Sequence, residues 1–450
     1  MNGLVYPYRE NCTTQLRRQL WLSQTAGGRL SLLSGAHGLG KSATAAEALK
    51  DDLVIWLDLA GKSPALAIEE FKRHIAKALG IFVPRSASTL ADLFDFLMGE
   101  AWERPFSLVL DNFQVVEKLE SGFSAHLYSK WRAEKDRTKM NIVLVGTSVE
   151  YAGKADAVFE VKPLETGLLK ELQKCVDQNV TAEDVLAFWL FTGGRPDLVR
   201  CTLEHGAVTK DTLIRLMLQP YSPLASAIRQ ELLSLLGKNS DTYLSILSLI
   251  ASGVKSQAEM ESRLGGSIIG GHLAKLENEY GLLVKNRPLL AASDSRGVVR
   301  YEIVDPSVAT WLRFFYEDRA SSLLYSQEQL IPMAEAVLER TKEEGLRAYY
   351  IRKFTEEGTF GQIGSIWEPA QRIHRNEGSR KSLQEEPGVT DHRDADIVGI
   401  KGKKALVAAV EPSASTFEKE PFFKQVNLLK NGPLKGYTVD VRLFTTADIL

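Results

Sequence analysis

Eight residues near the start of the chain have the types and spacing to hold a polyphosphate: Gly35-Ala36-His37-Gly38-Leu39-Gly40-Lys41-Ser42. Gly35 and Gly40 allow a tight turn and a close backbone approach that side chains would block. Successive N–H groups, running on to Ala43 at the start of the next helix, can meet phosphate oxygens at the positive end of that helix. Lys41 supplies a point charge to the terminal phosphates, and the Ser42 hydroxyl can ligate Mg²⁺. From composition alone such a spacing arises about once in fifty chains of this length. Here an apolar run, Leu30–Leu33, precedes it and an alanine-rich helical stretch follows, which is the setting that gives the motif its meaning. The residues therefore point to ATP with Mg²⁺, or a close nucleotide relative.

A second apolar run, Phe106-Ser-Leu-Val-Leu-Asp111, ends in a carboxylate suited to holding the metal through water, so Asp111 and Ser42 are the expected metal residues. The next residue is Asn112, at a position where a glutamate would polarise the attacking water. An amide cannot take that proton, so slow or absent hydrolysis is expected, and restoring a glutamate there should raise the rate. Glu10, Glu160 and Glu165 are alternative carboxylates for the water. Thr147 and Ser148 end another apolar run and could sense the terminal phosphate, although a turn explains the same composition. Arg195, in Thr192-Gly-Gly-Arg-Pro196, opens a helix and could reach the phosphates.

These groups need elements to hold them. Short apolar runs at Leu30–Leu33, Leu53–Asp58, Phe106–Asp111, Asn141–Gly146 and Val158–Val161 alternate with amphipathic stretches such as Ala65–Leu79. That rhythm predicts a mostly parallel sheet covered on both faces. Strand signals then stop, and helices are expected over Gly167–Gln178, Thr181–Phe191, Asp197–Glu204 and Lys210–Leu218. From Asp241 three helices precede two short strands, Leu282–Lys285 and Val298–Val304, the layout of a winged helix. Beyond about residue 321 the pattern is α/β again, interrupted by a polar stretch, 371–393, expected to be a mobile loop.

Composition narrows the partners. A formal net charge of −2 over 450 residues gives no general pull toward nucleic acid or an anionic membrane. The apolar runs fall short of the roughly 18 residues a spanning helix needs, and the first twenty residues do not read as a signal peptide. Cys12, Cys175 and Cys201 are odd in number and far apart, a pattern for free thiols in a cytoplasmic protein and not for a disulfide framework or a zinc site.

With these residues in hand, the chain resembles the archaeal- and Bacteroidetes-type AAA+ ATPases of the STAND-like branch. The resemblance runs through Tyr8-Arg-Glu10, the phosphate loop, Leu110-Asp-Asn-Phe-Gln114, Leu144-Val-Gly-Thr-Ser148, Phe191-Thr-Gly-Gly-Arg-Pro196, the winged helix and a C-terminal segment similar to restriction-endonuclease-like domains. It implies an α/β fold: a P-loop AAA+ parallel sheet (1–165), a helical lid (166–236), a winged helix (237–320) and a small nuclease-like α/β domain (321–450). In that family an Asp-Glu pair is usual where Asp111-Asn112 stands.

The resemblance also sets out a nuclease site, and this chain departs from it. Asp396 and Glu411 match two metal carboxylates, but Ser413 stands where lysine is usual and Arg347 where a glutamate is. An arginine there would repel a metal, so a catalytically inactive fold is expected. The candidate recognition helix, Ser267–Tyr280, mixes Lys275 with Glu277 and Glu279, which suits a solvated face or a protein contact better than phosphates. Arg287, Arg296 and Arg300 leave nucleic acid weakly supported. His37, His74 and His126 show no metal spacing. The expected partners are ATP and a protein, or a second copy, met through the C-terminal half; no membrane is expected. The leading function is a nucleotide-dependent switch. The alternatives are an active ATPase coupled to DNA binding or cleavage and, less well matched to the domain layout, a small-molecule kinase.

Overall fold

The computed structural model describes residues 10–147, 152–237, 240–289, 299–315, 325–367 and 395–450. Tyr8, Arg9, Ser148, Arg296, Asp394 and the stretch 371–393 lie outside the described residues, as does the side chain of Glu10. The chain divides into two compact units: residues 1–163 with Arg195–Asp197, and residues 164–194 with 198–450.

The first unit is built on a five-stranded parallel sheet of order β2-β3-β4-β1-β5. Its strands are β1 (Leu30–Ser34), β2 (Val54–Asp58), β3 (Phe106–Asp111), β4 (Met140–Gly146) and β5 (Ala157–Glu160). Every residue of β1, β3 and β4 is buried, whereas the edge strands β2 and β5 alternate. That contrast follows from position. A central parallel strand has helices on both faces and reads as a continuous apolar run, while an edge strand meets water.

The helices carry local signals that fix their ends. Pro64–Leu79 starts on a proline after Ser63 and stops at Gly80, which has φ of 65°. Leu90–Glu100 opens with a reciprocal cap in which Thr89 and Asp92 satisfy each other's backbone N–H. Phe71, Phe94, Phe113 and Phe123 fill the core between these helices and one sheet face. Leu16, Leu20, Leu33 and Leu39 pack on the other. Parallel strands put all their C-terminal ends at one edge, so the loops after β1, β3 and β4 open together there, where open α/β sheets place ligands.

In the second unit the helices Thr166–Val176, Ala182–Thr192, Lys210–Leu218 and Pro223–Leu236 precede Ser240–Ala251, Gln257–Arg263 and Gly270–Asn278. An antiparallel pair follows, β6 (Leu283–Asn286) with β7 (Arg300–Ile303). A second sheet has the order β11-β10-β9-β8, from β8 (Gln362–Ile366), β9 (Ala395–Lys401), β10 (Lys404–Val410) and β11 (Thr438–Phe444). Within it β10 and β11 are parallel, joined across the helix Lys419–Asn431, and the other pairs are antiparallel. Among the described residues no helix is long and apolar enough to cross a membrane.

Candidate functional site

The loop after β1 has the backbone that its glycines predict. Gly35, Gly38 and Gly40 have φ of 147°, 72° and 74°, conformations that residues with a Cβ rarely adopt. A Cβ on Gly35 would lie 2.3 Å from the Val161 carbonyl oxygen, and one on Gly38 would lie 2.7 Å from Arg195 Nε. The helix Lys41–Ala48 starts directly from Gly40, whose carbonyl accepts the Thr44 N–H at 2.9 Å. The amides of Ser42 and Ala43 come before that first intrahelical bond, at the helix end where backbone donors meet anions. Lys41 is 9% exposed and turns its ammonium back on the loop, donating to the Ala36 carbonyl at 2.8 Å. Leu39 is buried against Leu16 and Leu33 and anchors the loop, while Ala36, His37 and Ala43 are exposed and Ser42 is half-buried.

A polyphosphate fits this cradle. Its backbone leaves no room for a Cβ at Gly35, against the Val161 carbonyl, or at Gly38, against Arg195, and it offers amides, one ammonium and the Ser42 hydroxyl. Mg²⁺ would be held by Ser42 and Asp111; when bound, the ion supplies charge neutralisation for the phosphates. Asp111, 8% exposed, closes β3 at the same edge and accepts the N–H of Asn112 at 2.9 Å. The first unit is a P-loop α/β fold.

Arg195 lies against the loop. It is 3% exposed, abuts Gly38, and is clamped by Asp197 through Nε at 3.3 Å and Nη2 at 2.7 Å. Of the alternative carboxylates, Glu160 is exposed and lies 3.6 Å from Lys162, and Glu165 precedes the helix Thr166–Val176 in the second unit.

Sequence reasoning missed a polar chain along the sheet edge. Asn112, at φ of 58°, donates its side-chain N–H to Asp58 Oδ1 at 2.8 Å. Gln114 Nε2 lies 3.4 Å from Asn112 Oδ1, and Gln114 Oε1 lies 3.4 Å from the Thr147 N–H. The chain thus crosses the ends of β2, β3 and β4. Asp58 carried no motif, its one signal being that, like Asp111, it closes an apolar run, and Gln114 stood in the sequence reading only as the last residue of the Leu110–Gln114 segment.

In the second unit Arg347 is paired with a carboxylate of β7. It donates to Glu302 at 2.6 Å, while Asp396 accepts the Val410 N–H at 2.9 Å and Glu411 the Thr416 hydroxyl at 3.2 Å. Burial alone would lower the arginine's pKa, but Glu302, Glu344 and Asp396 outweigh it and raise it. Among the described residues no three His, Cys, Asp or Glu side chains come together as metal ligands.

Compared with known proteins, the chain matches no protein-family model and no curated protein. Among solved structures it is similar to a Walker-type ATPase of Pyrococcus abyssi, at 21% identity and a TM-score of 0.49 over 68% of this chain and 95% of that one. It is also similar to the Orc1 protein of Aeropyrum pernix in complex with DNA, at 15% identity and a TM-score of 0.37 over 72% and 97%. A third is the signal-transduction ATPase with a tetratricopeptide-repeat sensor from Pyrococcus horikoshii, at 17% identity and a TM-score of 0.29 over 75% and 47%. Scores at this level leave the function to the chain's own geometry.

Proposed function

We propose that this chain binds ATP with Mg²⁺ and works as a nucleotide-dependent switch of the AAA+ type, with slow hydrolysis. One observation carries the reading: a positive-φ glycine loop leads from a buried strand into the amino end of a helix, with Lys41 folded over it. The roles follow from chemistry. Gly35 to Ala43 would supply amides, Lys41 a charge to the terminal phosphates, and Ser42 and Asp111 the metal site. Arg195 would trade Asp197 for a phosphate oxygen, and Asn112 would stand in for the missing glutamate. Residues 166–236 would serve as the lid, 237–320 as a winged helix and 321–450 as an inactive nuclease-like module that meets a protein partner.

The test is titration calorimetry with ATP and Mg²⁺. Wild type should give saturable binding, and Lys41→Ala should weaken it about a hundredfold or more, as expected for loss of a buried charge-assisted contact. Unchanged affinity in that variant would remove the nucleotide reading. The coupled-ATPase alternative predicts Mg²⁺-dependent DNA cleavage lost in Asp396→Ala; we expect no cleavage in either protein.

A further inference from the structure

We propose that a cavity within the second unit is a binding site for a small monocarboxylate, recognised by Arg347. The cavity has a volume of about 60 Å³ and lies between β7 and the helices Ala182–Thr192, Ser240–Ala251, Pro306–Phe315 and Lys342–Glu356. Trp189, Leu190, Ile250 and Ile303 give it an apolar wall, and Glu302, Arg313, Glu344 and Arg347 a charged one. The pairing there is uneven. Lys255 and Arg313 both bind Glu344, at 2.8 Å and 2.9 Å, while Arg347 binds Glu302 at 2.6 Å with Lys255 3.6 Å from the same oxygen. Three cations thus share two carboxylates, and all four oxygens are engaged, because the second oxygen of Glu302 takes the Asn286 amide at 2.7 Å. Asp396 adds a more distant negative charge, and its Oδ2 already accepts the Val410 N–H at 2.9 Å.

Arg347 is the group with donors to spare. A guanidinium carries five N–H donors in one plane. Among the described residues that of Arg347 makes one hydrogen bond, from Nη2 to Glu302. Its Nε and Nη1 have no protein acceptor, neither is fully buried, and the cavity that Arg347 lines is the space they meet. A carboxylate suits such an edge, since its two oxygens accept two parallel charge-assisted bonds from one guanidinium. Size and lining set the rest. At roughly 10–15 Å³ for each water, the cavity has room for about four waters, or for a carboxylate of about four to six heavy atoms. A short alkyl tail would lie on Trp189 and Leu190, as apolar walls in ligand sites ask. Phosphate would leave that wall unused and bring more than one negative charge. The walls come from three stretches far apart in the chain, so the ligand would brace the second unit against opening.

Propionate is the test ligand, added to the full chain without nucleotide. Over a sodium chloride control of equal ionic strength, it should raise the melting midpoint saturably by roughly 2–4 °C. Calorimetric titration should give a dissociation constant below about 10 mM, in keeping with five heavy atoms. Propionamide, equal in size and uncharged, should give no shift, and phosphate a smaller one. Arg347→Lys keeps the charge without the planar fork and should weaken propionate about tenfold or more. That change also disturbs Glu302, so Ala309→Leu supplies an independent check. Ala309 lines the cavity and carries no charge, and a larger side chain there should abolish the response with every ion-pair residue in place. Should Ala309→Leu fail to fold, propionate against propionamide on wild type decides. A propionate shift no larger than that of chloride or propionamide overturns the proposal, as does unchanged affinity in Arg347→Lys or a response kept in Ala309→Leu. Phosphate matching propionate overturns the carboxylate assignment. None of these outcomes bears on the nucleotide loop, which lies in the other unit.

Discussion

At the scale of single residues, the phosphate loop separates two kinds of glycine. A Cβ at Gly35 would meet a backbone carbonyl, that of Val161, which is tied to β1 because its own N–H bonds to the Ser34 oxygen at 2.7 Å. A Cβ at Gly38 would meet the far end of Arg195, a side chain that can move. Gly35→Ala should therefore cost about 1–3 kcal/mol of stability and abolish ATP binding, because backbone must shift. Gly38→Ala should cost less stability, since only its φ of 72° and a movable guanidinium oppose it. Urea unfolding and calorimetry on both variants check the order, and equal losses would show that the carbonyl yields as easily as the side chain. The loop was legible in sequence because its chemistry is local: eight consecutive residues determine it. Asp58 was not, because what matters about it is the pairing of β2 with β3, and register is written in no single stretch of sequence.

Among elements, the strands came through almost at their sequence boundaries. β3 is Phe106–Asp111 as read, and the other strands of that sheet shift by a residue or so. Uniform apolar runs mark central strands strongly, and turn and cap residues close them. What pattern could not give is how the charged residues of the second unit join its elements. Glu344, on the helix Lys342–Glu356, holds Lys255 at 2.8 Å and Arg313, from the helix Pro306–Phe315, at 2.9 Å. Arg347 on the same helix holds Glu302 of β7 at 2.6 Å. Its arginine reads in sequence as a damaged nuclease position, whereas its structural partner sits 45 residues earlier. Burial would raise the pKa of Glu344, but Lys255 and Arg313 outweigh that and hold it below the ordinary 4.5. A depressed carboxylate stabilises the fold above its unfolded pKa and loses that contribution as pH falls through the folded value. Glu344→Gln should thus cost about 1–2 kcal/mol near neutrality, discounted because the side chain is about a third exposed. It should also flatten the acid limb of stability below about pH 4.5, where wild type weakens. Melting followed from pH 7 to pH 3 checks both, and parallel curves for the two proteins would count against the network.

For the molecule as a whole, the sequence divides residues 166–450 into lid, winged helix and C-terminal α/β segment, yet packing joins them. One apolar core runs from Leu169 and Phe188, through Leu247 and Trp311, to Leu346, Ile397 and Val410. Trp189 of the first segment meets Tyr349 of the last edge-to-face at 5.6 Å, and Thr166 bonds to Glu356 through both its N–H and its hydroxyl. Tyr350 stacks on Phe444 at 4.7 Å and donates its hydroxyl to the Thr445 carbonyl. The C-terminal sheet is consequently two-sided. One face, with Ile397, Leu406 and Ala408, belongs to this shared core, and the other, with Val398, Val407 and Ala409, packs on Phe422 and Val426 of the helix Lys419–Asn431. Ending the chain at Phe315 would remove the partners of Trp189 and Leu190 and expose both side chains, aromatic and aliphatic burial worth several kcal/mol. Residues 164–315 should then lose their cooperative melting, and the amides of the helix Ala182–Thr192 should exchange many times faster than in the full chain. If that helix stayed as protected in the shortened protein, the C-terminal segment would be an appended module. Fast exchange would make it a structural wall of the second unit, retained for packing whether or not its sheet ever held a metal.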